Sequence, residues 1–159
     1  QMLFEAAHLA EEGETSLQAA MKNPQLAKYV LNWGRENDFG FGTIDLKTNQ
    51  KIGAAWLRLF PDTDRGYGYI NDRTPELAIA VFPAYRNRGI GTRLLLHLLD
   101  ATQALYPAIS LSVRTDNPAF NLYRRLGFQE VTGSATTNRT GGTSVTLKID
   151  FSDLKAIVL

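Results

Sequence analysis

The sequence predicts a mixed α/β fold with a mostly antiparallel sheet, a central parallel pair of strands, and flanking helices. Two patterns indicate this fold. Residues 41–60 form two strand-like segments joined by a short polar turn, which is typical of an antiparallel hairpin. Residues 76–114 follow the order strand, long helix, strand, and a right-handed crossover of this kind sets its two strands parallel.

The composition bounds the class of protein. At 159 residues the chain has the size of one domain, expected over residues 1–159. Apolar residues make up 44% and charged residues 21%, and a net charge of +1 argues against a general nucleic-acid surface. No apolar run approaches the roughly 20 residues that span a bilayer, and no secretory signal pattern opens the chain. We expect a cytoplasmic protein without nucleic-acid or membrane partners.

The chain contains no cysteine, which excludes disulfides, thiolate metal ligands and cysteine nucleophiles. His8 and His97 lie in separate helical patterns, so we expect no metal site. The first residue is Gln rather than Met, so we expect either a processed end or a remnant of the expressed sequence there.

The amino-terminal part is predicted to be helical. Apolar spacing predicts a helix over residues 5–9, and the helical pattern resumes over 18–21 after a break at Gly13. Asn23 and Pro24 are suited to be the N-cap and first residue of a further helix that ends at Gly34. We expect the side chains of Trp33 and Trp56 in the core.

The hairpin is predicted to consist of strands 41–46 and 51–60, and a polar loop over residues 61–75 follows it. This loop has little periodicity apart from a short extended piece at 67–70. Long polar loops often carry binding groups, although a solvated connection is the alternative. The loop residues that are candidates for contacting a substrate are Tyr67, Tyr69, Asp72 and Arg73.

The second half of the chain continues the alternation of strands and helices. A buried strand over 76–81 precedes a helix whose apolar positions run from Ile90 to Leu105, and a strand follows at 108–114. The remaining elements are a short helix at 119–126 that begins at Asn117-Pro118 and stops at Gly127, and strands at 128–131 and 143–151 separated by the connection 132–142.

A glycine turn precedes the long helix. Residues Arg86-Asn87-Arg88-Gly89-Ile90-Gly91 fit the pattern R-x-x-G-x-G. Glycines let the backbone pass close to a ligand, and the N–H groups of a first helical turn favour phosphate oxygens. The arginines, including Arg93, add positive charge. The turn therefore predicts a phosphate site, although in isolation a plain strand-to-helix turn is equally consistent with it.

A second cluster follows the next strand: Asn117-Pro118-Ala119, then Tyr123-Arg124-Arg125-Leu126-Gly127-Phe128. With both clusters in this order, the sequence resembles the GNAT superfamily of acetyl-CoA-dependent N-acetyltransferases. The resemblance covers about residues 51–131 well and the two ends only in general architecture. It implies the acyl-CoA N-acyltransferase fold of that family, with acetyl-CoA as the acyl donor.

The resemblance implies a set of cofactor contacts. The backbone around residues 86–91 would hold the pyrophosphate of coenzyme A, and the end of the 76–81 strand would pair with the pantetheine arm as an added strand. The residues implied to bind the cofactor are Ala80, Val81, Arg86, Asn87, Arg88, Gly89, Ile90, Gly91, Thr92 and Asn117.

The resemblance also implies the catalytic groups. Tyr123 is the candidate general acid for the leaving thiolate, because a phenol with a pKa of about 10 is protonated at neutral pH. Glu76 is the candidate base, acting through water, and the N–H of Val81 is the candidate oxyanion donor. The alternatives are that Tyr123 is a core aromatic and that Glu76 pairs with an arginine, Arg73 or Arg114. With no cysteine, direct transfer without an acyl-enzyme is expected.

Two other functions are consistent with parts of the sequence. A dinucleotide-binding domain needs G-x-G-x-x-G and an acidic residue at the end of the next strand, whereas here the glycines stop at Gly91 and that strand ends in Arg114. A module of the same fold that binds coenzyme A without catalysis stays open. The acceptor is expected to be a small-molecule or peptide amine, and dimers are common among proteins of this kind.

Overall fold

The computed structural model describes residues 1–152. Its strands are β1 (Phe39–Asp45), β2 (Gln50–Arg58), β3 (Glu76–Val81), β4 (Ala108–Arg114), β5 (Gln129–Glu130), β6 (Thr136–Thr137) and β7 (Thr143–Asp150). Its helices are α1 (Met2–Ala6), α2 (Ala19–Lys22), α3 (Pro24–Ala27), α4 (Ile90–Thr102) and α5 (Ala119–Arg125), with short 3₁₀ helices at Asp62–Asp64 and Pro83–Tyr85. Over these residues, no helix combines the length and apolarity needed to cross a bilayer.

The strand pairing confirms the predicted fold class. The sheet runs in the order β1-β2-β3-β4-β7-β5, and β6 pairs with β7. Strand β1 is antiparallel to β2, and β7 is antiparallel to β4, β5 and β6. Strands β3 and β4 are parallel, with Glu76 aligned with Ser110. The sheet is therefore mostly antiparallel with a parallel pair at its centre, as the hairpin and the crossover predict.

The contacts divide the chain into two compact units. The first comprises Gln1–Arg58 and Ala78–Asp100, and the second comprises Leu59–Leu77 and the residues from Ala101 onward. Each unit has its own apolar core. Fully buried side chains of the first unit are Leu57, Leu95 and Leu98, and those of the second are Phe128, Ile109, Leu147 and Ile149. That residues 1–159 form one domain stays a prediction.

The amino-terminal helices differ from their predicted bounds, and the second spans Ala19–Lys22 rather than residues 18–21. The first spans Met2–Ala6 rather than residues 5–9. The Asn23 side chain accepts a hydrogen bond from the Gln25 N–H (3.0 Å), which confirms the N-cap. Helix α3 ends at Ala27, and the chain continues in turns to Asn32, whose φ of +53° is left-handed. A left-handed residue cannot continue a right-handed helix, so the apolar spacing overestimates its length.

The two tryptophans differ in burial. Trp56 is buried, and its indole N–H donates to the Tyr29 carbonyl (3.0 Å), as the core prediction requires. Trp33 is 48% exposed, so the prediction that it lies in the core is wrong. Because Trp33 directly follows the left-handed Asn32, its ring leaves the apolar face of α3, and the Arg58 guanidinium lies 5.4 Å from the ring centre.

A buried ion pair fixes the segment after α3. Arg58 is 1% exposed and donates two hydrogen bonds to Asp38, at 2.6 and 2.9 Å. Its third nitrogen donates to the carbonyls of Lys28 (2.8 Å) and Leu31 (2.7 Å). A buried guanidinium needs its donors satisfied, and these acceptors supply that need. The pair therefore ties residues 28–38 to the end of β2 inside the first unit.

The loop before β3 folds differently from the prediction. No strand forms at 67–70, so the extended piece predicted there is wrong. Instead the Gly68 N–H donates to the Glu76 Oε1 (2.7 Å), and a Cβ on Gly68 would lie 2.7 Å from the Leu111 carbonyl carbon. This turn packs against its own unit through the glycine, so its backbone is not available for a strand ladder.

Candidate active site

The loop between β3 and α4 belongs to the first unit and turns sharply. The Phe82 N–H closes β3 by donating to the Ile52 carbonyl (2.8 Å), and the 3₁₀ helix Pro83–Tyr85 follows. Asn87 and Gly89 then have φ values of +59° and +75°. Glycine adopts this left-handed conformation at little cost, and asparagine tolerates it better than most residues. The R-x-x-G-x-G pattern thus places two turn-forming residues directly before α4.

The start of α4 presents unsatisfied backbone donors. The first helical hydrogen bond runs from the Arg93 N–H to the Gly89 carbonyl (3.0 Å). The N–H groups of Ile90, Gly91 and Thr92 precede that bond and have no acceptor within the helix. Together with the positive end of the helix dipole, these donors favour an anionic group.

The two glycines of the motif leave room around this helix start. A Cβ on Gly89 would meet nothing within 4 Å, and one on Gly91 would lie 3.8 Å from a Val81 methyl carbon, an ordinary contact. Gly89 is therefore needed for its backbone conformation, and Gly91 is not needed to avoid a clash within the protein. The open space suits a phosphate group, so the residues fit the pyrophosphate of coenzyme A.

Two arginines of the motif are engaged by the protein itself. The Arg86 Nε donates to the Val81 carbonyl (3.0 Å), and its terminal nitrogens contact Glu5 and Glu11, each at 3.3 Å. The Arg88 guanidinium lies 5.4 Å from the ring centre of Tyr85. Sequence reasoning missed Glu5 and Glu11, because carboxylates about 80 residues before the motif carry no local signal.

Glu76 lies in the second unit and is 2% exposed. Its Oε1 accepts the Gly68 N–H, and a Cβ on Gly66 would fall 1.9 Å from Oε2. The carboxylate thus occupies a turn that glycines keep open. Its register partner Ser110 is fully buried, and the Ser110 hydroxyl forms no hydrogen bond within residues 1–152. The carboxylate therefore holds the 61–75 loop through the Gly68 N–H.

Two of the other loop candidates, Tyr69 and Asp72, belong to a surface network in the same unit, and the backbone N–H of a third, Arg73, donates to the Asn71 side chain (2.9 Å). The Tyr69 hydroxyl donates to Asp72 (2.5 Å), and Asp72 also accepts the Asp62 N–H (2.9 Å). The hydrogen bond to Asp72 is the largest cause that raises the pKa of Tyr69 to about 12. The Arg65 guanidinium lies 4.9 Å from the Tyr69 ring centre. Tyr69 and Asp72 therefore contact each other. The Tyr67 side chain is 48% exposed.

The Leu-Gly-Phe motif holds Tyr123 through the end of α5. Gly127 has a φ of +103°, its N–H donates to Arg124, and the Phe128 N–H donates to Tyr123. These two bonds form a Schellman motif, in which an apolar contact across the helix end is usual. Here the rings of Tyr123 and Phe128 meet edge to face at 5.9 Å. The motif that ends the helix therefore also fixes the Tyr123 ring.

Tyr123 is 7% exposed, and burial raises the pKa of its hydroxyl well above the usual value. The group is therefore protonated across the physiological range. At the other end of α5, the Asn117 side chain accepts the Ala119 N–H (2.9 Å), as a capping asparagine would, although Pro118 rather than Asn117 directly precedes the first helical residue. The predicted site residues thus fall into two sets: Ala80, Val81 and residues 86–92 in the first unit, and Glu76, Asn117 and Tyr123 in the second.

The sequence profile of the acetyltransferase (GNAT) family matches residues 5–128. The chain therefore belongs to that family. This confirms the resemblance drawn from the two motifs.

The chain is also similar in sequence to individual acetyltransferases. The chain is 47% identical over 74 residues to the N-alpha-acetyltransferase RimI of Mycobacterium tuberculosis, a match covering 42% of this chain and 46% of that protein. It spans less than half the length of the curated relatives it matches.

Solved structures share the fold. A GNAT-family acetyltransferase from Bordetella pertussis superposes with a TM-score of 0.68 at 23% identity, covering 93% of this chain and 85% of that one. A ribosomal-protein-alanine N-acetyltransferase from Escherichia coli gives 0.58 at 25% identity, covering 79% and 76%.

Proposed function

We propose that the protein is an N-acetyltransferase that transfers the acetyl group of acetyl-CoA directly to a primary amine. The observation that carries the proposal is the loop before α4. There, left-handed Asn87 and Gly89 bring the chain to a helix start with three backbone donors and open space beside them. Membership of the acetyltransferase family supports acetyl-CoA as the group bound there. When bound, it supplies an activated thioester.

Glu76 and Tyr123 are the proton-transfer groups of the proposal. An ammonium group cannot attack a thioester, so the acceptor must first lose a proton, and Glu76 is proposed to take it through water. Tyr123 is proposed to protonate the departing thiolate, and the raised pKa of its hydroxyl keeps that group protonated before the transfer. The N–H of Val81 is proposed to donate to the developing oxyanion. The chain has no cysteine that could carry an acyl group, which favours direct transfer.

For the acceptor we infer the α-amino group of a peptide. The support is the 47% identity to a relative described as an N-alpha-acetyltransferase. A lysine-containing peptide with a free amino terminus should then be acetylated faster than the same peptide with a blocked amino terminus, in which only the lysine amine is available. Faster acetylation of a polyamine than of any peptide would replace this acceptor class.

The donor is tested by thermal unfolding with acetyl-CoA, with NAD as the control. A ligand at a hundredfold excess over its dissociation constant stabilises the native state by about 2.7 kcal/mol. For a domain of this size the melting temperature should rise by roughly 5–11 °C. A rise with NAD and none with acetyl-CoA would contradict the proposal. Thiol release can then be followed with a thiol reagent, because the protein contributes no cysteine background.

The acid role is tested by Tyr123→Phe. The substitution keeps the ring contact with Phe128 and removes only the hydroxyl. We expect turnover to fall by about a hundredfold or more, the usual size of a general acid's contribution, while coenzyme A affinity stays within a few-fold. Unchanged turnover would leave Tyr123 as a core aromatic.

A further inference from the structure

Arg86 is held by three acceptors of its own unit. Its Nε donates to the Val81 carbonyl (3.0 Å), one terminal nitrogen contacts Glu11 and the other contacts Glu5, each at 3.3 Å. We call this group of Arg86, Glu5, Glu11 and the Val81 carbonyl the Arg86 clamp. It joins the end of β3, the loop after it and the amino-terminal segment.

The burial of the clamp differs between its two carboxylates. The Glu5 side chain is 10% exposed, the Glu11 side chain 41% and the Arg86 side chain 35%. Ion pairs that are shielded from water are screened less by solvent and salt than exposed ones. Glu5 is therefore expected to hold Arg86 more firmly than Glu11 does.

The clamp sets the charge that a bound anion would meet. Two carboxylates oppose one guanidinium, so Arg86 has no surplus positive charge to offer a phosphate. The Arg86 side chain also bonds back to a carbonyl five residues earlier, which closes the loop just before left-handed Asn87. The backbone N–H groups at the start of α4, together with Arg88 and Arg93, then supply the attraction, and the positions of those N–H groups depend on the shape of this loop.

From this geometry we infer that Glu5 and Glu11 are positioning residues for donor binding: they hold Arg86 against Val81 and so keep the loop in its anion-binding shape. The inference rests on the proposed function, since the anion is the pyrophosphate of coenzyme A. It assigns a role to the amino-terminal segment, which has no part in the R-x-x-G-x-G motif.

The test is calorimetric titration of coenzyme A into the full chain and three variants, Glu5→Gln, Glu11→Gln and Glu36→Gln. Glu36 is the matched control, because it is an exposed glutamate of the same unit and its substitution changes the net charge equally. We expect Glu5→Gln to weaken binding about threefold to tenfold, as loss of a partly buried ion pair implies. Glu11→Gln should weaken it less, and Glu36→Gln should leave it within twofold.

Two further readouts separate positioning from a general effect on the fold. In an Arg86→Gln background, Glu5→Gln should have no further effect on affinity, because the carboxylate acts through the guanidinium. Acetylated pantetheine, which lacks the pyrophosphate, should bind the wild type and Glu5→Gln equally. Thermal unfolding checks each variant, and if Glu5→Gln does not fold, Glu11→Gln carries the same comparisons.

The outcomes are distinct. If Glu5→Gln binds coenzyme A as well as or better than the wild type, the carboxylates do not position the loop and the inference is overturned, whereas the proposed function stands. An effect that persists in the Arg86→Gln background also overturns it. If the wild type does not bind coenzyme A or acetyl-CoA, both the inference and the proposed function fail.

Discussion

The loop before α4 and the loop before β3 both depend on glycine, but for opposite reasons. In the first, Gly89 has a left-handed backbone, and an added Cβ would meet nothing within 4 Å. In the second, a Cβ on Gly66 or Gly68 would collide with the Glu76 carboxylate or with the β4 backbone. One loop uses glycine to turn and leave space, and the other uses it to pack tightly. Of these two loops, only the first leaves open space beside its glycine.

The largest expected effect is on the packed loop. Gly68→Ala places a Cβ 2.7 Å from a backbone atom of Leu111, which cannot move away as a flexible side chain would. We expect a loss of about 2–3 kcal/mol in the free energy of unfolding, measured by urea denaturation. Gly42→Ala is the control, since its Cβ would meet only a carbonyl at 3.9 Å. Equal stability of the two variants would contradict the tight packing of Gly68 against β4.

A smaller loss is expected from Gly89→Ala. Its φ of +75° disfavours an L side chain by about 1–2 kcal/mol, although there is space for the methyl group. The strain should appear both in urea denaturation and as weaker binding of coenzyme A, because the loop can relax only by changing shape. If Gly89→Ala binds coenzyme A with the wild-type affinity, the conformation of this turn does not contribute to donor binding.

The Glu76→Gln variant tests whether the carboxylate enclosed by the loop before β3 acts as a base. If Glu76 is the base, the rate should fall at neutral pH and the deficit should shrink as pH rises, because the acceptor amine is then already neutral. The measurement is the pH profile of thiol release. A deficit that is constant with pH would assign Glu76 to holding the loop through the Gly68 N–H.

Gly91→Leu isolates the open space of the first loop. The helix tolerates leucine well, and an added Cβ would lie at an ordinary contact distance from Val81, so the free energy of unfolding should change little. The larger side chain would occupy the approach to the helix start, and coenzyme A should bind several-fold more weakly by calorimetry. Normal affinity would contradict the phosphate site.

The smallest expected effect is a loss of folding stability at low pH. Burial alone would raise the pKa of Asp38, but hydrogen bonds from Arg58 and from the N–H groups of Arg35 and Gly34 outweigh it and hold the pKa below its usual value. The pair therefore stabilises the first unit fully above about pH 4. This contribution is lost as pH falls through the lowered pKa. Acid titration of unfolding should show the loss in the wild type and a smaller one in Asp38→Asn.

The fold and the motifs were predictable to different degrees. Strand β4 and the start of α4 lie where the alternation and the glycine pattern place them, since both signals are local. The caps at Asn23, Asn117 and Gly127 also follow from local chemistry. The family followed from the order of two motifs, since their combination is more specific than either one.

Other features could not be predicted because distant residues determine them. The buried pair of Arg58 and Asp38 joins residues 20 apart, and Glu5 reaches Arg86 across 81 positions. The 61–75 loop looked extended at 67–70, since nothing local says that Gly68 packs against Leu111. Helix α3 ends at Ala27, which the apolar spacing of the following residues does not reveal, and the left-handed Asn32 lies in the turns beyond it.

The contrast between the two tryptophans makes the protein its own fluorescence probe. Trp56 is enclosed and hydrogen-bonded, so its emission should be blue-shifted and insensitive to aqueous quenchers. Trp33 is half exposed and lies near a guanidinium, so iodide or acrylamide should reach it. These are the two tryptophans of the chain. Quenching of the Trp33 emission would therefore report, without any label, on the environment of the segment that Arg58 and Asp38 hold in place.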